Sequence, residues 1–219
     1  MELRTPIQRV RLSTTHIVVV LLNEVNLYKF SSPPQKLAVF STANNPFGLC
    51  CLGKQIIAFP GRTPGQVQLV ELSTHNVSII PAHSNSLRAL DLSNDGEILA
   101  TASETGTLIR VWSTANCSKT TEFRRGVDPA TIFSIAISPS GSHIAVTSDK
   151  STLHLYDLEN PGGATRTGDF VGSPMSPQIR SNPPDFIHES SASRAGIPHN
   201  GSHETLPTVE GGEWQICCI

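Results

Sequence analysis

Apolar and polar residues alternate in short runs along the first 160 residues, and the runs recur at a fixed spacing. Val25 to Phe30, Val67 to Leu72, Ile109 to Thr114 and Leu153 to Leu158 share one alternating pattern. Their fourth positions, Tyr28, Val70, Trp112 and Tyr156, lie 42, 42 and 44 residues apart. Alternation with period two marks strands. A repeat of about 40–45 residues is that of a four-stranded propeller blade.

The last two repeats align in more detail. Leu87 to Gly96 matches Ile132 to Gly141, a strand followed by a turn, and Ile98 to Ser103 matches His143 to Ser148, a second strand. Thr107 falls opposite Thr152 just before the third strand, and one residue is deleted after that point. Ile17 to Leu22 is apolar and short and reads as a buried strand. No segment sustains a helical period with caps, so the body is predicted all-β. One blade cannot bury both its faces, so neighbours must stack, and only a closed ring removes the exposed sides. About four blades are countable over residues 1–160. The chain begins mid-pattern, which predicts an incomplete ring. From 161 to 219 the composition turns rich in Pro, Gly, Ser, Asn and His without periodicity, and a disordered loop or tail is expected there.

Composition narrows the chemistry. Charged residues make up 16% of the 219 and the net charge is −2, so a general polyanion binder is excluded and no nucleic acid is expected. Anion binding, if any, must be local. The five cysteines, Cys50, Cys51, Cys117, Cys217 and Cys218, have neither zinc spacing nor the pattern of a disulfide framework, and a reducing compartment fits them. No cofactor is implied. Gly-X-Ser-X-Gly, His-Glu-X-X-His and phosphate-cradling Gly-Lys-Ser/Thr motifs are missing from the sequence, so an enzyme is not expected.

The local anion chemistry sits in Glu122-Phe123-Arg124-Arg125-Gly126, between the last two repeats. Neighbours on an extended strand point to opposite sides, so the two guanidiniums can serve two pockets, one in either flanking repeat. A solvated pair on a connecting strand is the bland alternative. Ser103 and Ser148 are equivalent by the repeat, as are Thr107 and Thr152. These are either ligand groups or ordinary strand-end residues bonding a turn.

Together these residues carry a family resemblance. Asn45-Pro-Phe-Gly-Leu-Cys50, Ala58-Phe-Pro-Gly61, Ile80-Pro-Ala-His83, Ala100 to Arg110, Glu122 to Gly126 and Thr152-Leu-His-Leu-Tyr156 resemble the PROPPIN or WIPI-type propellers of autophagy. The similarity runs over about residues 6–158 and is strongest to the shorter WIPI members and their fungal counterparts. It implies a WD40-type β-propeller, with about four blades of a seven-bladed family fold, from near the third blade through the sixth. It also implies a peripheral reader of phosphatidylinositol 3-phosphate and phosphatidylinositol 3,5-bisphosphate. Its partners would be phosphoinositide-containing membranes and autophagy-related proteins, at preautophagosomal, endosomal or vacuolar membranes.

By this resemblance the first head-group pocket uses Arg124 with His83, Ser103 and Thr107. The second uses Arg125 with Ser148, Thr152 and His154, with Lys150 at its rim. For the histidines, a structural role holding a turn competes with ligation, and Lys150 alone is an ordinary loop charge. Phe170, Val171, Met175, Phe186 and Ile187 are the expected membrane wedges of a long sixth-blade loop. A protein-binding scaffold without lipid affinity, or a truncated product without function, are the alternatives.

Overall fold

The computed structural model describes residue 3, residues 5–161 and, for the backbone, residues 166–168. The expected wedge residues and the rest of the expected tail lie outside these. All the described residues belong to one compact unit, Met1–Ser173.

Sixteen strands form four sheets among the described residues. The first holds β1 (Arg9–Leu12), β2 (His16–Val20), β3 (Glu24–Lys29) and β4 (Gln35–Ser41). The second holds β5 (Cys51–Leu52), β6 (Ile56–Pro60), β7 (Gln66–Glu71) and β8 (Val77–Pro81). In the third are β9 (Leu87–Leu92), β10 (Ile98–Ser103), β11 (Leu108–Ser113) and β12 (Lys119–Arg124). The fourth contains β13 (Ile132–Ile137), β14 (His143–Ser148), β15 (Leu153–Asp157) and β16 (Arg166–Gly168). Each sheet is an antiparallel meander in chain order, which is the blade of a propeller. Its outermost strand in the fourth sheet comes from beyond residue 160, where the sequence had placed the limit of the propeller.

The core lies between sheets rather than within any one of them. Val18, Val20, Val25 and Leu27 of the first sheet pack on Ile57, Phe59 and Val70 of the second. Val67, Leu69 and Ile80 on the second meet Leu87, Leu99 and Trp112 of the third. Ala100, Ile109, Val111 and Phe123 of the third meet Ile132, Ile144, Val146 and Tyr156 of the fourth. Middle strands are therefore covered on both faces, and β2, β6 and β10 read as near-continuous apolar runs. The outermost strands stay largely in water, and Lys119 to Arg124 shows it in its sequence.

Two polar brackets tie the stack together. His83 Nε2 lies 3.0 Å from Thr101 Oγ1, and Trp112 Nε1 donates to the same oxygen at 3.1 Å. Asp91 of β9 accepts from the Ile137 amide of β13 at 2.8 Å, and the Cys51 thiol of β5 approaches its other oxygen at 3.8 Å. Burial pushes the Asp91 carboxyl up, against the pull of those bonds.

Candidate functional site

The candidate site centres on the end of β12. Register pairs Glu122 with Arg110, Phe123 with Ile109 and Arg124 with Leu108. Phe123 turns toward the fourth sheet and stacks on Tyr156, centroids 4.6 Å apart. Glu122 takes the other side, where its Oε2 accepts from Arg110 Nε at 2.7 Å and from Lys119 Nζ at 3.2 Å. Arg110 in turn donates from Nη1 to the Ala82 carbonyl at 2.7 Å, beside His83 at the joint of the second and third sheets. Strand alternation then sends Arg124 with Glu122 and Arg125 with Phe123.

Arg125 is held from three directions. Its amide donates to the Thr107 carbonyl at 2.8 Å and its Nε to the Gly106 carbonyl at 2.7 Å, while Nη2 reaches the Asp128 carbonyl. Its charge lowers the pKa of His154, after burial, and opposes the burial that pushes Tyr156 up to about 12. So Arg125 faces the fourth sheet. There Thr152 Oγ1 and His154 Nε2 are 3.0 Å apart, and Ser148, 4% exposed, accepts the Lys150 amide at 3.4 Å. Lys150 is exposed at the rim. The second expected group, Arg125, Ser148, Thr152 and His154, is thus gathered around one joint.

The first expected group is looser. Ser103 is buried at the end of β10, one step past a bulge, and Thr107 starts the way into β11. Arg124 is exposed and its guanidinium has no partner among the described residues. His83 is bonded to Thr101 and sits near Arg110 and Glu122. Burial, then the Arg110 charge, lowers its pKa to about 4, so its imidazole is neutral at pH 7. No bond joins His83 to Arg124, Ser103 or Thr107.

Repeat equivalence explains this and adds a residue. The His83 amide donates to the Gly65 carbonyl at 2.9 Å, as that of Arg125 does to Thr107, so His83 stands one repeat before Arg125. Arg110 pairs with Thr101 as His154 pairs with Val146, which makes Arg110 the counterpart of His154. Sequence reasoning missed Arg110, although the internal alignment carries the signal. The second sheet has Gly61 and Gly65 where the third has Ser103 and Thr107, so it lacks the hydroxyls. Among the described residues no group of three or more His, Cys, Asp or Glu could hold a metal.

Comparison with known proteins is decisive for the family. The PROPPIN family profile matches residues 3–169. The chain belongs to the PROPPIN family. SVP1-like protein 2 of Emericella nidulans is 64% identical over 164 residues, 75% of this PROPPIN chain and 52% of that protein. Autophagy-related protein 18e of Arabidopsis thaliana is 40% identical over 153 residues, 68% of this chain and 41% of that protein. Among solved structures, Kluyveromyces lactis Hsv2 with its complete loop 6CD superposes with a TM-score of 0.67 at 30% identity, covering 72% of this chain and 50% of that one. This PROPPIN chain therefore spans about half the length of the curated relatives it matches.

Proposed function

We propose that this PROPPIN chain binds phosphatidylinositol 3-phosphate and phosphatidylinositol 3,5-bisphosphate through two pockets flanking Arg124 and Arg125. In this reading it is a peripheral effector on autophagic and endolysosomal membranes. The observation that supports it is the place of Arg125 beside His154, with Ser148 and Thr152 at the positions that Ser103 and Thr107 hold in the preceding sheet and with Arg124 exposed next to it. A phosphorylated inositol presents doubly charged groups that suit the planar guanidinium fork, and hydroxyls complete the shell. In the second pocket Arg125, Ser148, Thr152 and His154 contact the head group, with Lys150 at the rim. In the first, Arg124, Ser103 and Thr107 do so, and His83, fixed by Thr101, orders the wall. Membership of a family of phosphoinositide-binding autophagy proteins supports the same reading, as does the name of the plant relative.

Each basic residue near an anionic leaflet contributes about 1 kcal/mol, so one pocket binds weakly and two gain by effective concentration. The test is flotation with vesicles containing either phosphoinositide, against vesicles containing unphosphorylated phosphatidylinositol. The parent chain floats only with the phosphorylated lipids, each single Arg→Thr variant floats less, and R124T/R125T stays at the bottom. A double variant that still floated would refute the reading and favour a protein-binding scaffold.

A further inference from the structure

Residues 125–131 join β12 to β13, and both ends of this loop are fixed. The Arg125 amide donates to the Thr107 carbonyl at 2.8 Å, and the Ala130 amide to the Thr105 carbonyl at 3.1 Å. Just beyond, the Thr131 amide donates to Asp149 Oδ1 at 3.1 Å. Arg125 also braces the loop from within, since its Nη2 bonds the Asp128 carbonyl. Between these anchors stands Val127, 82% exposed, ahead of Leu12 at 59% among the large apolar side chains described. A Cβ on its neighbour Gly126 would meet no described atom within 4 Å. So Val127 packs on nothing and plays no part in the core, yet the backbone that carries it is held. A loop already fixed in place loses little freedom when its exposed side chain is buried against something else.

The surroundings say what that something is. Arg124 and Lys150 are exposed near it, Arg125 is half-buried two residues before it, and the nearby acids are Asp128 and Asp149. An aliphatic tip among basic side chains suits the boundary between anionic head groups and acyl chains. A protein partner fits less well, because aromatic and arginine side chains seated in pockets dominate such interfaces and one small valine does not. Entry into lipid asks only that apolar area leave water. We propose that Val127 enters the acyl boundary of the bilayer whose phosphoinositide head group is held by Arg125 and its neighbours. The proposal rests on the phosphoinositide reading and adds a contact with the body of the lipid. It is separate from the wedges expected at Phe170, Val171, Met175, Phe186 and Ile187, which lie outside the described residues.

The test sets a membrane against a free head group, using the full 219-residue chain. Phosphatidylcholine vesicles carrying phosphatidylinositol 3-phosphate are titrated in one arm, and water-soluble inositol 1,3-bisphosphate in the other. Val127→Ser should weaken vesicle binding by about fivefold. Its head-group affinity should stay within about twofold of the parent, and its melting temperature should not change. Val127→Trp should bind vesicles at least as tightly as the parent, and lipids brominated on the acyl chains should quench its added fluorescence. The parent, with Trp112 and Trp214, sets the background for that measurement. R124T/R125T should lose both vesicles and head group. Equal vesicle binding of Val127→Ser and the parent, or no added quenching in Val127→Trp, overturns the proposal and leaves the phosphoinositide reading standing. An equal loss of head-group affinity in Val127→Ser also overturns it, since Val127 would then shape the pocket. A parent that bound neither vesicles nor head group would refute the phosphoinositide reading, and this proposal with it.

Discussion

Phe123 of β12 and Tyr156 of β15 stack across the joint of the third and fourth sheets, 4.6 Å between centroids and 23° between planes. Both rings are buried, and Arg125 follows Phe123 by two residues on the same side. The stack therefore holds both the joint and the direction of the second arginine. Phe123→Ala should cost about 3–5 kcal/mol of unfolding free energy, since a large buried ring leaves a cavity. Urea titration measures it. Phe123→Leu keeps most of the volume and should cost less than about 2 kcal/mol.

The two arginines should differ in what their removal does to stability. Arg124 is exposed and without a side-chain partner among the described residues, so Arg124→Thr should change stability by no more than about 0.5 kcal/mol. Arg125 bonds the Gly106 and Asp128 carbonyls across the turn, so Arg125→Thr should cost about 1–2 kcal/mol, reduced by partial exposure. Thermal melts of the single variants test this. Equal melting temperatures would mean that the Arg125 bonds add nothing. The comparison matters for the lipid assay too, because a loss of flotation in Arg124→Thr cannot then be put down to unfolding.

Much of the fold is legible in the sequence. The third strand of each sheet appears as the repeated alternating run, within one residue of β3, β7, β11 and β15, because that strand is buried and its pattern is strong. The strands β9, β10, β13 and β14 follow from internal alignment. Outermost strands were the hard ones. β4 and β8 carry exposed and polar residues, so burial leaves little pattern on them, and β16 lies in a segment whose composition hides it. At the candidate site, the fixed place of Arg125 shows in the sequence only as an expectation from strand geometry, since its Gly106 and Asp128 partners lie in turns. The Thr101 contact of His83 does not show there, because it needs the register of β10 against the loop after β8. Arg110 was overlooked for a similar reason: its carbonyl and carboxylate partners are 28 and 12 residues away in sequence.

The same contact makes a pH prediction. His83 has its folded pKa lowered from 6.5 to about 4, first by burial and then by Arg110. The unfolded chain then binds more protons than the folded one between those values, so stability rises with pH through this window. Stability from this group is full above about pH 6.5 and is lost as pH falls toward 4. His16 and His154 are lowered as well and act in the same direction, so the comparison must isolate His83. Urea titrations of the parent and His83→Gln at pH 7 and pH 5 do so. The parent should lose more stability over that interval than the variant, and parallel losses would rule out a buried neutral His83.

Gly106 is where backbone geometry supports the site most directly. It sits at φ +65°, and a Cβ there would lie 1.8 Å from the Ala130 carbonyl oxygen at the entry to the fourth sheet. Its own carbonyl accepts from Arg125. Gly106→Ala combines an unfavourable backbone conformation with a clash against backbone that cannot turn aside, so a loss of at least about 2 kcal/mol is expected. The repeat-equivalent residue is Ser151, which holds φ 56° with an ordinary side chain and is exposed. It therefore carries the conformational cost without the clash, and Ser151→Gly should stabilise by up to about 1 kcal/mol. Melting both variants separates the two contributions. If Gly106→Ala melted within the range of Ser151→Gly and the parent, the contact with Ala130 would not be holding the joint.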